Sequence, residues 1–149
     1  MIMISSCIAG LATRYDGKDA RVEAIEALVA EGKAMLVCPE QLGGLPTPRL
    51  PAEIVGGDGY DVLDGRARVV NSAGEDVTKQ FIAGAYQSLK IAQKIRATEA
   101  ILKENSPSCG SGNIYDGTFT GNKVDGIGVT AALFERHNIK VRSEVNLEE

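Results

Sequence analysis

Apolar residues along this chain follow two alternating rhythms: short unbroken runs, and longer stretches in which they return every third or fourth position. The runs lie at Met1-Ile2-Met3-Ile4, Ala34-Met35-Leu36-Val37 and Ala100-Ile101-Leu102-Lys103, and runs this short read as buried strands. Between the first two, Val22, Ile25, Leu28 and Val29 fall on one face of a helix predicted over residues 20–31, with Asp19 as its cap and Gly32 closing it. Arg66 to Asn71 reads as a further short strand. Asp76 or Thr78 then opens an amphipathic helix to about Arg96, whose apolar face carries Phe81, Ile82, Ala85, Leu89 and Ala92. A last helix is predicted from about Ile127 to His137, and a terminal strand near Ile139 to Arg142. Strand and helix in alternation predict an α/β fold, a single-domain Rossmann-like sheet, mostly parallel and flanked by helices.

One stretch breaks the rhythm. Residues 39–65 are dense in Gly and Pro and read as a long loop, and loops of that length inside a compact domain are usually functional or disordered. Their Leu, Ile, Val and Tyr content argues against disorder. At 149 residues the chain is long enough for one domain with a full core and too short for two of ordinary size, so residues 1–149 are expected to form one unit. A net charge of -4 leaves no basic footprint for a nucleic-acid partner. No apolar run approaches the roughly 20 residues that cross a bilayer, and the start MIMISSCIAG lacks the basic flank and long apolar core of a signal peptide. No membrane association and a cytoplasmic location are therefore expected.

In a reducing cytoplasm the three cysteines take on weight. Their odd number makes a disulfide framework a poor reading, leaving ligand, nucleophile or buried bystander. Cys7, Cys38 and Cys109 each follow a predicted strand, and parallel neighbouring strands would bring all three thiols to the carboxyl edge of the sheet, where open α/β folds bind ligands. Three thiolates around one point suggest a metal site. No C-x-x-C pair supports a zinc ribbon or a redox dithiol, and zinc with four protein ligands would need a carboxylate. The single histidine, His137, is better read as a favourable charge near a helix C-terminus. Electron-transfer iron–sulfur proteins normally supply four cysteines per cluster, whereas three can hold a four-iron cluster and leave one iron open.

The surroundings of these cysteines carry a family resemblance. Cys38-Pro39-Glu40-Gln41-Leu42-Gly43-Gly44-Leu45-Pro46-Thr47-Pro48-Arg49, Asp61-Val62-Leu63-Asp64-Gly65 and Ser106-Pro107-Ser108-Cys109-Gly110, with Arg14-Tyr15-Asp16-Gly17 and Ile114-Tyr115-Asp116-Gly117-Thr118-Phe119, resemble the small 2-thiouracil desulfurase family over nearly the whole chain. The resemblance implies a [4Fe-4S] cluster held by Cys7, Cys38 and Cys109 with one open iron, and a thiolated nucleobase such as 2-thiouracil as the small-molecule partner. It also implies Glu40 and Ser106 as catalytic residues. The chemistry is coherent: sulfur leaving a C=S group is a soft ligand suited to iron, and Glu40, two residues from Cys38, can take the proton of an attacking water. Ser106, three residues before Cys109, can donate to the substrate or relay a proton. A non-catalytic cluster carrier or sensor is the alternative; a relay acting on thiolated RNA is disfavoured by the acidic charge.

Remaining signals are softer. Gly43-Gly44 and Gly56-Gly57-Asp58-Gly59 match no phosphate-loop or dinucleotide pattern and read as tight turns. Asp58, Asp61 and Asp64 lack calcium-loop spacing and read as turn residues. Arg14 and Arg49 read as surface charges, with substrate positioning as a second possibility.

Overall fold

The structure, a computed structural model, describes residues 1–147. In chain order its elements are β1 (Ile2–Ser5), α1 (Glu23–Ala30), β2 (Ala34–Val37), α2 (Pro39–Leu42), β3 (Ala52–Val55), α3 (Gly59–Leu63), β4 (Arg68–Asn71), α4 (Thr78–Lys94), β5 (Glu99–Leu102), β6 (Asn113–Tyr115), β7 (Lys123–Asp125), α5 (Val129–Arg136) and β8 (Lys140–Ser143). The central sheet has the order β2-β1-β5-β8 and is parallel throughout, with Ile4 in register with Leu36 on one side and Ile101 on the other. This is the expected α/β sheet.

Alternation along β1 explains why its sequence is apolar without a break. Met3 joins the larger core with Val37, Ala100, Leu102, Phe81, Leu89 and Phe134, whereas Ile4 joins Ile8, Ile25 and Ile101 in a second core. Helices α4 and α5 contribute to the first and α1 to the second, so both faces of the sheet are covered and strands need apolar residues on both.

Several boundaries shift for local reasons. The first helix begins at Glu23, not Ala20, and its N-cap is Val22 rather than Asp19. Residues 20 and 22 instead give their backbone N–H groups to the carbonyls of Cys7 and Ile8, which holds this stretch extended. Helix α4 stops at Lys94 because Arg96 turns left-handed, with φ of 56°, and Ala97 N–H closes back on Ala92. The strand expected from Arg66 starts at Arg68, since the N–H groups of Arg66 and Ala67 both reach back to the Asp61 carbonyl.

The stretch 39–65, expected as a loop, contains α2, β3 and α3. β3 pairs antiparallel with β4, and β6 with β7, forming two hairpin-like ribbons outside the central sheet. Asp58 and Asp61 are more than turn residues: they form a reciprocal capping box at the start of α3. Gly43 serves a close helix approach. A Cβ there would stand 1.9 Å from the Gln80 carbonyl oxygen, and one on Gly84 would stand 1.8 Å from that of Pro39, so these two glycines let α2 lie against α4. Helix α2 thereby holds Cys38 and Glu40 in place. Among the described residues, no helix is long and apolar enough to cross a membrane.

Candidate active site

Because β1, β2 and β5 are parallel neighbours, their carboxyl ends share one edge of the sheet. Cys7 follows β1 in a 3-10 turn, Cys38 is the N-cap of α2 immediately after β2, and Cys109 sits in the turn beyond β5. All three line one cleft of about 450 Å³, with no disulfide among them. The convergence expected from strand placement is present.

The three thiols influence one another electrostatically. Burial pushes Cys7 up to about 11, and the neighbouring Cys38 adds to the rise. Burial also raises Cys38, against the pull of the Gln41 backbone and Arg49. Cys109 is pushed up to about 12, chiefly by burial, with Glu40, Cys7 and Cys38 adding to it while a hydrogen bond with Ser5 opposes it. Each thiolate would repel the others, and a cationic group bound by all three would relieve that repulsion. Among the described residues, no three histidine, cysteine or carboxylate side chains converge tightly enough to hold a single metal ion. A donor set of three soft sulfurs spread around a cleft fits a polynuclear iron–sulfur group better than one zinc ion. His137 is exposed at the C-terminal cap of α5 and outside the cleft lining.

Glu40 projects from α2 into the same lining, where it meets Arg49. Far from being a surface charge, the Arg49 side chain is only 5% exposed. Its Nε and Nη2 donate to the two Glu40 oxygens at 3.4 Å, Nη2 also donates to the Thr13 carbonyl at 3.0 Å, and Nη1 donates to Thr47 Oγ1 at 2.9 Å. Nη2 further lies 3.9 Å from Cys38 Sγ. One guanidinium thus ties the candidate base to a candidate ligand. Burial raises the Glu40 carboxyl above its ordinary value, and Arg49 opposes that rise. A carboxyl whose proton affinity is raised by burial and tempered by a guanidinium suits proton exchange with a water molecule.

Ser106 is oriented by the turn that carries Cys109. Its Oγ accepts from Ser108 N–H at 3.1 Å and from Cys109 N–H at 3.0 Å, which engages both lone pairs and leaves its proton as the group it can offer. The turn is fixed from behind by α5, whose Val129 and Thr130 N–H groups donate to the Pro107 and Ser108 carbonyls. Helix-start donors need partners outside the helix, and here they are found in the cysteine turn itself. Gly128 permits this approach, since a Cβ there would meet the Ser108 carbonyl carbon at 2.5 Å.

Two carboxylates escaped the sequence reading. Glu104 is buried, and its Oε1 accepts from the N–H groups of Asn105, Ser111, Gly112 and Asn113 at 2.9–3.3 Å. Burial would raise it, but these bonds together hold it below its ordinary value. Glu53 is 9% exposed, lines the cleft, and accepts through Oε1 from Gly117 and Phe119 N–H at 2.9 and 3.2 Å. A charged residue inside the apolar run Ala52-Glu53-Ile54-Val55 was the available signal for Glu53. Arg14, the third cation of the lining with Arg49 and Lys103, sits over the Tyr15 ring at 5.7 Å.

A parallel sheet that gathers three thiols, a shifted carboxyl and a donor hydroxyl around a cleft of small-molecule size is the arrangement of an α/β enzyme site. The family model for 2-thiouracil desulfurase matches residues 2–146, and the chain belongs to that family. It is 54% identical over 147 residues to the uncharacterised protein YbbK of Bacillus subtilis (strain 168), covering 99% of this chain and 97% of that protein. Among solved structures, the [4Fe-4S]-dependent thiouracil desulfidase TudS superimposes with a TM-score of 0.87 at 44% identity, over 98% of this chain and 91% of that one.

Proposed function

We propose that this protein is a cytoplasmic iron–sulfur-dependent desulfurase that converts the C=S group of a thiolated pyrimidine such as 2-thiouracil to C=O. Cys7, Cys38 and Cys109 hold a [4Fe-4S] cluster through three thiolates, and one iron carries no protein ligand. The observation that carries this reading is the meeting of three strand-end thiols with Glu40 and Ser106 in one cleft. The bound cluster supplies a soft Lewis acid for the departing sulfur.

The protein's own groups account for the rest. Water adds its oxygen to the ring carbon and the sulfur leaves as sulfide, so no electron is gained or lost. Glu40, held by Arg49, takes the proton from the attacking water. Ser106, its lone pairs committed to the Cys109 turn, donates its hydroxyl proton in a hydrogen bond to the substrate. The test is anaerobic incubation of reconstituted protein with 2-thiouracil, following loss of thiocarbonyl absorbance and appearance of uracil. Uracil release at many turnovers per chain is expected; a loaded cluster that leaves 2-thiouracil intact would favour a cluster carrier or sensor instead.

A further inference from the structure

Glu53 does more than its backbone bonds require. It stands on β3, outside the central sheet, and is nine-tenths buried, and yet no basic side chain among the described residues forms an ion pair with it. Both of its hydrogen bonds end on Oε1, whereas Oε2 has no partner among the described residues. Nor is Oε2 among the side-chain atoms sealed away without a partner, and Glu53 lines the cleft. Holding residues 117–119 needs one acceptor oxygen. A second, charged and unpaired, is costly in a mostly buried setting unless something donates to it.

The same lining offers an aromatic setting for a flat ring. Tyr115 and Phe119 both belong to it, and Phe119 has a left-handed backbone with φ of 58°, a conformation to which the Glu53 bond contributes. Aromatic rings and one directed acceptor are what a planar heterocycle with N–H edges requires. In 2-thiouracil the reacting C=S lies between two ring N–H groups.

We propose that Glu53 is a substrate-recognising residue whose Oε2 accepts one ring N–H of the thiolated pyrimidine. This rests on the desulfurase reading above and deepens it: Glu53 sets which nitrogen must carry hydrogen, while Glu40 and Ser106 act at the reacting carbon. Glu53→Gln isolates the claim. The two backbone donors of Gly117 and Phe119 select the amide oxygen, so the loop keeps its anchor and the group offered to substrate changes from an acceptor to an NH₂ donor.

The experiment compares 2-thiouracil with 1-methyl- and 3-methyl-2-thiouracil on loaded parent and Glu53→Gln protein. Parent protein should lose about 10- to 100-fold in kcat/KM on one methyl isomer, the range expected for a hydrogen bond to a charged group. Glu53→Gln should lose a similar factor on 2-thiouracil, mainly through KM, and should no longer discriminate against that isomer. Losses that multiply, an equal loss on all three compounds, or a parental KM for 2-thiouracil would each overturn the assignment. If the parent releases no uracil, the desulfurase reading falls, and equilibrium dialysis of the three compounds against both proteins still tests Glu53: the same pattern in Kd supports it, and equal or absent binding overturns it.

Discussion

At the scale of single residues, the site divides into groups that act and groups that hold. Glu40→Gln keeps the shape of the side chain and leaves the three thiols untouched, so iron content should stay near parental. Turnover should fall by about 10²- to 10⁴-fold, the usual cost of losing a positioned acid or base. Ser106→Ala differs because its Oγ also accepts the Cys109 N–H. That variant should lose iron on gel filtration as well as activity, and comparing iron per chain with uracil release separates the two roles. Glu104 belongs to the holding groups. Its replacement by alanine strips the acceptor from four backbone N–H groups and should cost about 2–4 kcal/mol of stability, read from the denaturant midpoint. Its folded pKa lies below its unfolded one, so its stabilisation is complete above the ordinary carboxylate range and is lost as pH falls through the folded value. The parent should therefore lose stability on acidification more steeply than Glu104→Ala, measured by urea denaturation between neutral pH and about pH 3.

At the scale of elements, segments with an unbroken apolar run or a helical apolar spacing were legible and those without either were not. Helices α1, α4 and α5 carry apolar residues at helical spacing and β1, β2 and β5 carry apolar runs, because the helices bury one face and these strands both. By contrast α2 (Pro39–Leu42) and β6 (Asn113–Tyr115) have neither an apolar run nor a turn of helical spacing, and they exist through tertiary contacts. The close approach of α2 to α4 is the most consequential of these, since it positions Cys38 and Glu40. Of the two glycines that allow it, Gly43 read as part of a turn and Gly84 lay unremarked inside a predicted helix. Gly84→Ala should force the helices apart, costing roughly 1–3 kcal/mol by overpacking and weakening cluster retention. Gly32 is a control: its φ of 74° disfavours alanine, but a Cβ there meets nothing within 4 Å. Gly32→Ala should lose about 1 kcal/mol with iron content unchanged. Thermal unfolding and iron per chain, measured on both variants, check the contrast.

For the whole molecule, the parallel sheet explains why thiols at positions 7, 38 and 109 can act as one site. The order β2-β1-β5 places the ends of three sequence-distant strands side by side, and the turns after them carry one cysteine each. That much followed from apolar runs and cysteine placement, together with a family resemblance that supplied the substrate class. What did not follow was the scaffolding. Arg49, Glu104 and Glu53 are mostly buried charges whose partners are largely backbone groups or a residue of a different element, and such pairings leave no spacing pattern in a sequence. The central claim, three cysteines holding one cluster, is tested most directly by iron and acid-labile sulfide per chain after anaerobic reconstitution, for the parent and for Cys7→Ala, Cys38→Ala and Cys109→Ala. The parent should hold about four of each, with every variant stripped or crippled in cluster content while its fold survives by circular dichroism. Full occupancy in any one of the three variants, or about one iron without sulfide in the parent, would contradict it.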